Sequence, residues 1–164
     1  MEMDIEKETE SLRNVPMFAK LDSSKLKLLA FTSQSLLFED GEVLFRLGDR
    51  ADCAYVIMSG EAEIVAETDA GEFVAGVLGK NELFGEMGIL TNSPRSATIR
   101  ARGELVALRI AEDMFLKLLA ENSEVALDVM RQLSQKLART HHQFEELQSK
   151  LQRLEASHSG APAQ

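Results

Sequence analysis

The sequence contains no tryptophan, one tyrosine and one cysteine in 164 residues, and aromatic side chains make up only 5% of it. A lone thiol, Cys53, cannot close an internal disulfide, which points to a reducing compartment, the cytoplasm. No apolar run approaches the ~20 residues of a membrane-spanning helix. The opening Met1-Glu2-Met3-Asp4 is acidic with no apolar stretch behind it, so it is not a secretory signal. Basic clusters are missing as well. Eighteen Lys and Arg stand against 27 Asp and Glu, a formal net charge of −9. Such a chain is a poor general binder of nucleic acid.

What is present suits one soluble globular domain plus an appendage. Nine of the ten glycines and two of the three prolines precede residue 104, whereas residues 121–157 contain neither. The spacing of Leu12, Val15 and Phe18-Ala19 predicts a first helix that breaks near Pro16 and Asp22. Asp22-Ser23-Ser24 offers N-caps for a second helix carrying Leu26, Leu28 and Leu29. From Phe31 to Ile110 short apolar runs alternate with turn residues: 42–45, 54–58, 62–66, 73–78, 96–101 and 105–110. In 96–101, Ala97, Ile99 and Ala101 share one face, opposite Ser96, Thr98 and Arg100. Short strands at such even spacing predict an antiparallel sandwich or barrel, with Gly41, Gly48, Gly60 and Gly71 at turns. Glu112–Glu121 reads as a helix with Met114, Phe115, Leu118 and Leu119 on one side, and Asn122 or Ser123 caps a longer one.

One stretch carries chemistry, Leu83-Phe84-Gly85-Glu86-Met87-Gly88-Ile89-Leu90 followed by Pro94-Arg95-Ser96-Ala97-Thr98. Gly85 allows a sharp turn and leaves its amide unshielded. Glu86 to Leu90 forms one helical turn whose free N–H groups suit an anion, above all a phosphate. Arg95, set between Pro94 and a strand, adds a charge-assisted bond from its planar fork, and Ser96 adds a hydroxyl. Glu86 would repel a bare anion. It fits a ligand that also presents a hydroxyl close to its phosphate, as a ribose 2′-OH does beside a cyclic phosphate.

These residues resemble the phosphate-binding cassette of cyclic nucleotide-binding domains, found in the catabolite activator protein family and in regulatory subunits of cyclic-AMP-dependent protein kinase. Val15-Pro16-Met17-Phe18, Gly41-Glu42, Gly48-Asp49 and Tyr55-Val56-Ile57-Met58-Ser59-Gly60-Glu61 extend the likeness over roughly residues 15–140. The resemblance implies an α+β fold, an antiparallel, jelly-roll-like β-roll flanked by N-terminal helices and a long C-terminal coiled-coil helix. It implies that Gly85, Glu86 and Met87 line the ribose and phosphate. Glu86 accepts the 2′-OH, and Arg95 and Ser96 hold the phosphate. Leu83 and Val74 pack near the ligand. Cyclic AMP is the expected ligand, with cyclic GMP left open by the Ser96 hydroxyl. A rough alignment puts Phe144 and Glu145 where the activators contact the base. Phe144 could stack there but not hydrogen-bond, and it also reads as an interhelical core residue.

Met130, Leu133, Leu137, Thr140, Phe144, Leu147, Leu151 and Leu154 follow a 3-4-3-4-3-4-3 spacing, the a/d seam of a coiled coil. The seam spans about 37 Å, and Lys150 at g with Glu155 at e makes an attractive interhelical pair. A parallel homodimer is expected, the alternative being a stalk that docks on another protein. The expected organisation is a nucleotide-binding domain over 1–120, a dimerising helix over 121–157 and a small polar tail over 158–164.

Three function classes compete. A metal-dependent barrel enzyme needs histidines inside the barrel, yet His141, His142 and His158 all follow the strands, and no Ser-His or Cys-His pair is placed within them; an enzyme is not expected. A transcription activator needs a helix-turn-helix after the long helix, for which the sequence to Gln164 leaves no room, so DNA is not an expected direct partner. A nucleotide sensor that acts through its helices on an effector protein is the preferred reading, with no cofactor beyond the nucleotide and no membrane contact. The alternatives are a ligand-free roll used as a protein scaffold and a truncated transcription regulator of the activator family.

Overall fold

The structure, a computed structural model, describes residues 4–158. It falls into two compact units that divide between Val125 and Ala126. The first begins with helix α1 (Ile5–Arg13), whose cap Asp4 accepts hydrogen bonds from the N–H groups of Glu6 and Lys7. A 3-10 turn over Pro16–Phe18 follows, and Phe18 is fully buried. Helix α2 (Ser23–Thr32) is capped by Asp22 through the Lys25 amide. Helix α1 ends at Arg13, ahead of Pro16, so Phe18-Ala19 fall in the 3-10 turn and its cap rather than in the helix, and Asp22 caps the start of α2.

Six antiparallel strands form one sheet: β1 (Gln34–Phe38), β2 (Val43–Phe45), β3 (Cys53–Thr68), β4 (Gly71–Leu78), β5 (Leu83–Phe84) and β6 (Thr98–Ala111). The order is β1-β6-β3-β4, with β2 paired to β6 and β5 to β3. This is the antiparallel α+β architecture expected, with two differences. The runs 54–58 and 62–66 belong to one strand, β3, and 96–101 and 105–110 feed one strand, β6. Gly60 is therefore not a turn. It sits at φ +87 where β3 shifts register against β6, and a Cβ there would collide with the Glu104 carbonyl oxygen. The glycine bends a continuous strand, as a bulge does, so the sheet curls without losing pairing. Strands β1 and β5 are further elements, absent from the apolar runs read in the sequence.

The curled sheet closes over Ile57, Ala62, Leu105, Ala107 and an aromatic cluster. Tyr55 stacks on Phe84 at 5.4 Å and on Phe45 at 6.2 Å, and Phe38 meets it edge-on at 6.3 Å. Burial pushes the Tyr55 hydroxyl well above its ordinary pKa. A single helical turn, α3 (Glu86–Leu90), follows β5, and α4 (Glu112–Glu121) buries Phe115 and Leu118. Helix α5 (Ser123–His158) begins in the first unit, where Val125 is buried, and makes up the second.

The expected tail 158–164 lies outside the described residues after His158. No helix among the described residues is long and apolar enough to cross a membrane.

Candidate functional site

Three short segments build the site: the turn after β2, the β5–α3 junction, and the chain entering β6. Gly85 lies between β5 and α3 at φ +83, a left-handed backbone that glycine adopts without strain. From there α3 runs Glu86–Leu90, the residues read as one helical turn. Its end is tied down by the Thr91 hydroxyl, which donates to the Met87 carbonyl at 2.7 Å, and by the Ser93 amide on the Gly88 carbonyl at 3.0 Å. The chain then pairs with the turn after β2. The Arg95 amide donates to the Asp49 carbonyl, and the Gly48 amide to the Arg95 carbonyl, both at 2.8 Å. Leu47 donates to the buried Thr98 hydroxyl at 3.0 Å. Arg95 is thus held from both sides before its side chain is considered.

That side chain turns inward and is only 4% exposed. One terminal nitrogen donates to the Gly85 carbonyl and the other to the Cys53 carbonyl, each at 2.6 Å. The Cys53 sulfur is 3.5 Å from the second nitrogen, and burial pushes the Cys53 thiol up from its ordinary pKa. The guanidinium carbon sits 4.0 Å from the Phe45 ring centre, within cation–π range. Nε is buried with no hydrogen-bond partner. The site therefore holds a desolvated cation with a donor to spare, an arrangement that favours an anion.

The remaining expected residues differ in burial and position. Gly85 touches Arg95 directly; a Cβ on it would stand 2.7 Å from a guanidinium nitrogen. Glu86, first in α3, is half-buried and already engaged; Met87 behind it is also half-buried. Ser96 is exposed beside Arg95. Leu83 is half-buried on β5, opposite Val56, and Val74 lies on β4 opposite Val65, 44% exposed. Phe144 belongs to the second unit, where it is 57% exposed. The sequence reading missed Phe45 and the Cys53 carbonyl. The first was visible only as one apolar strand residue, and a backbone acceptor leaves no mark in a sequence.

On α5, Met130, Leu137, Phe144, Leu147, Leu151 and Leu154 are all more than half exposed. His141 pairs with Glu145 at 3.1 Å and His142 with Glu146 at 3.2 Å. Among the described residues no group of three or more His, Cys, Asp or Glu could hold a metal.

The family model described as cyclic nucleotide-binding domain matches residues 36–122, just over half the chain. A cAMP-dependent protein kinase regulatory subunit of Blastocladiella emersonii is 32% identical over 115 residues, 70% of this chain and 28% of that protein. The chain spans less than a third of the first curated relatives it matches. Among solved structures, the regulatory domain of Toxoplasma gondii PKA with cAMP is 30% identical (TM-score 0.67), over 71% of this chain and 45% of that one. The Thermus thermophilus catabolite activator protein is 27% identical with a TM-score of 0.73, over 81% and 63%.

Proposed function

Because the chain belongs to the cyclic nucleotide-binding domain family, we propose that it is a nucleotide sensor that takes cyclic AMP in preference to cyclic GMP at the Gly85–Ser96 cassette. The observation that carries this is the buried Arg95 guanidinium with its unpartnered Nε. The cyclic phosphate gives that cation the anion it lacks, with Ser96 donating alongside. Glu86 accepts the ribose 2′-OH, while Gly85 and Met87 border the sugar. Leu83 and Val74 supply apolar cover. Two such chains pair in parallel through the α5 seam. Ligand repacks the helices that follow the roll, and an effector protein reads the change. The likeness to a cAMP-dependent protein kinase regulatory subunit and to a catabolite activator protein supports a regulatory rather than catalytic role.

One observation favours a second reading. Both terminal nitrogens of Arg95 are already bonded to carbonyl oxygens, so the residue also serves as a structural tie in a ligand-free scaffold. Calorimetric titration of the full chain with cyclic AMP and cyclic GMP separates the two. Micromolar or tighter binding, lost in Arg95→Ala, supports the sensor. No heat with either nucleotide supports the scaffold.

A further inference from the structure

A hollow of about 930 Å³ lies between α1 and the sheet and shares no residue with the nucleotide cassette. Strand register explains its floor. Leu37 on β1 pairs with Val106 on β6, and Val106 pairs with Ser59 on β3, so the three form one rung. Leu36 and Phe38 pack on the core. Leu37 between them therefore faces the opposite side of the sheet. Met58 adjoins the rung where β3 shifts register. Helix α1 roofs it, and Lys80 and Asn81 close one side.

Two acceptors in this lining have no partner. Glu8 is 4% exposed, and its Oε2 is buried without a hydrogen bond. The Asn81 Oδ1 is buried in the same condition. Asn81 is fixed in place. Its backbone is left-handed at φ 70, and its amide donates to the Ile57 carbonyl at 2.8 Å. Buried acceptors without donors are costly, and two that line one hollow call for the same thing, N–H groups brought in from outside. A carboxylate is one of the two. Burial and the nearby Asp4 hold its pKa above the ordinary range, which a cation would relieve. Of the basic groups in the lining, Lys7 is paired with Asp4 at 3.9 Å, and Lys80 adjoins Asn81 in the chain.

We infer that this hollow binds a small organic cation, a primary ammonium on a short apolar body. The ammonium donates to Glu8 and Asn81. The body lies on Leu37, Met58 and Val106. The volume falls in the range of small-molecule sites.

The test is a calorimetric and amide-NMR titration of the full chain with n-hexylammonium chloride. Sodium hexanoate and hexanol serve as controls of matched body and different head. Saturable binding of hexylammonium alone is expected, with shifts at Glu8, Asn81 and Val106. Glu8→Gln, which keeps the shape, should weaken it at least about tenfold. Leu37→Lys, at a half-exposed position, should abolish it by placing a cation inside. The inference is overturned by unsaturable binding, by equal binding of a control, or by a Glu8→Gln variant that binds as well as the parent, in which case buried water satisfies the acceptors. Cyclic AMP is titrated on the same samples. Glu8 lies outside the cassette, so either reading can fail while the other stands.

Discussion

The Arg95 guanidinium carbon lies 4.0 Å from the centre of the Phe45 ring, and Phe45 in turn stacks with Tyr55. The cation expected to meet a phosphate is therefore part of the packing of the roll. If Arg95 meets the phosphate as proposed, ligand binding and fold stability are coupled through one side chain.

Replacing Arg95 should consequently show in two measurements. Arg95→Ala leaves the Gly85 and Cys53 carbonyls without donors and removes the cation–π contact. Roughly 2–4 kcal/mol of stability should be lost, read by urea denaturation without ligand. Affinity for cyclic AMP should fall about ten- to a hundredfold. Arg95→Lys keeps the charge but not the two-pronged geometry, so it should recover little of either. Unchanged stability in Arg95→Ala would show that the inward hydrogen bonds contribute nothing.

Glu86 is tested by pairing a variant with a ligand analogue. If its carboxylate accepts the 2′-OH, removing the hydroxyl from the ligand and the charge from the protein should not cost twice. In the parent protein 2′-deoxy cyclic AMP should bind about tenfold or more weakly than cyclic AMP. In Glu86→Ala the two ligands should bind alike. Additive losses would mean that Glu86 acts elsewhere.

The glycines separate conformational strain from steric strain. Gly41 and Gly60 have nearly the same backbone, φ +83 and +87, but a Cβ on Gly41 meets open space and one on Gly60 meets the Glu104 backbone. Gly41→Ala should cost about 1 kcal/mol and Gly60→Ala at least about 2 kcal/mol by urea denaturation. Equal losses would remove the steric argument.

That contrast also marks what the sequence could tell. The turn at Gly41 was legible because a glycine between apolar runs is a local signal. Gly60 looked the same locally, yet there the chain bends and continues, because β3 stays paired with β6 on both sides of the shift. Pairing partners 40 residues apart are invisible to a local reading. Likewise Gly85, the extent of α3 and the presence of Arg95 could be read from turn chemistry and motif. The inward course of the Arg95 side chain could not, since it depends on a ring from β2 and a carbonyl from β3. The helix boundaries Glu112–Glu121 were legible from period alone, and the strand β1 was missed because Gln34 and Ser35 dilute its apolar pattern.

The seam of α5 gives a fourth prediction. Leu147 and Leu151 are 63% and 56% exposed, and two such residues one turn apart are a cost in water unless a second helix covers them. The double variant Leu147→Lys, Leu151→Lys should sediment as a monomer at tens of micromolar, where the parent is expected to sediment as a dimer. Thr140 interrupts the seam at a d position, so Thr140→Leu should tighten the dimer. A monomeric parent would remove the parallel pair from the proposed function.

Glu8 supplies the last test, through pH. Its carboxyl is held above the ordinary range by burial first and by Asp4 second. The folded state thus binds its proton more tightly than the unfolded chain does. Its stabilising contribution is complete below the unfolded pKa and is lost as pH rises through the raised folded value. Glutamine at that position does not titrate. The stability of the parent relative to Glu8→Gln, from urea denaturation across pH 4 to 8, should therefore decline as pH rises, leaving the variant the more stable protein near neutrality. The same substitution is expected to weaken hexylammonium binding. A gain in stability with a loss of binding would mark Glu8 as a group retained at a cost to the fold. A gain in stability with binding intact would leave it a buried acid with no ligand.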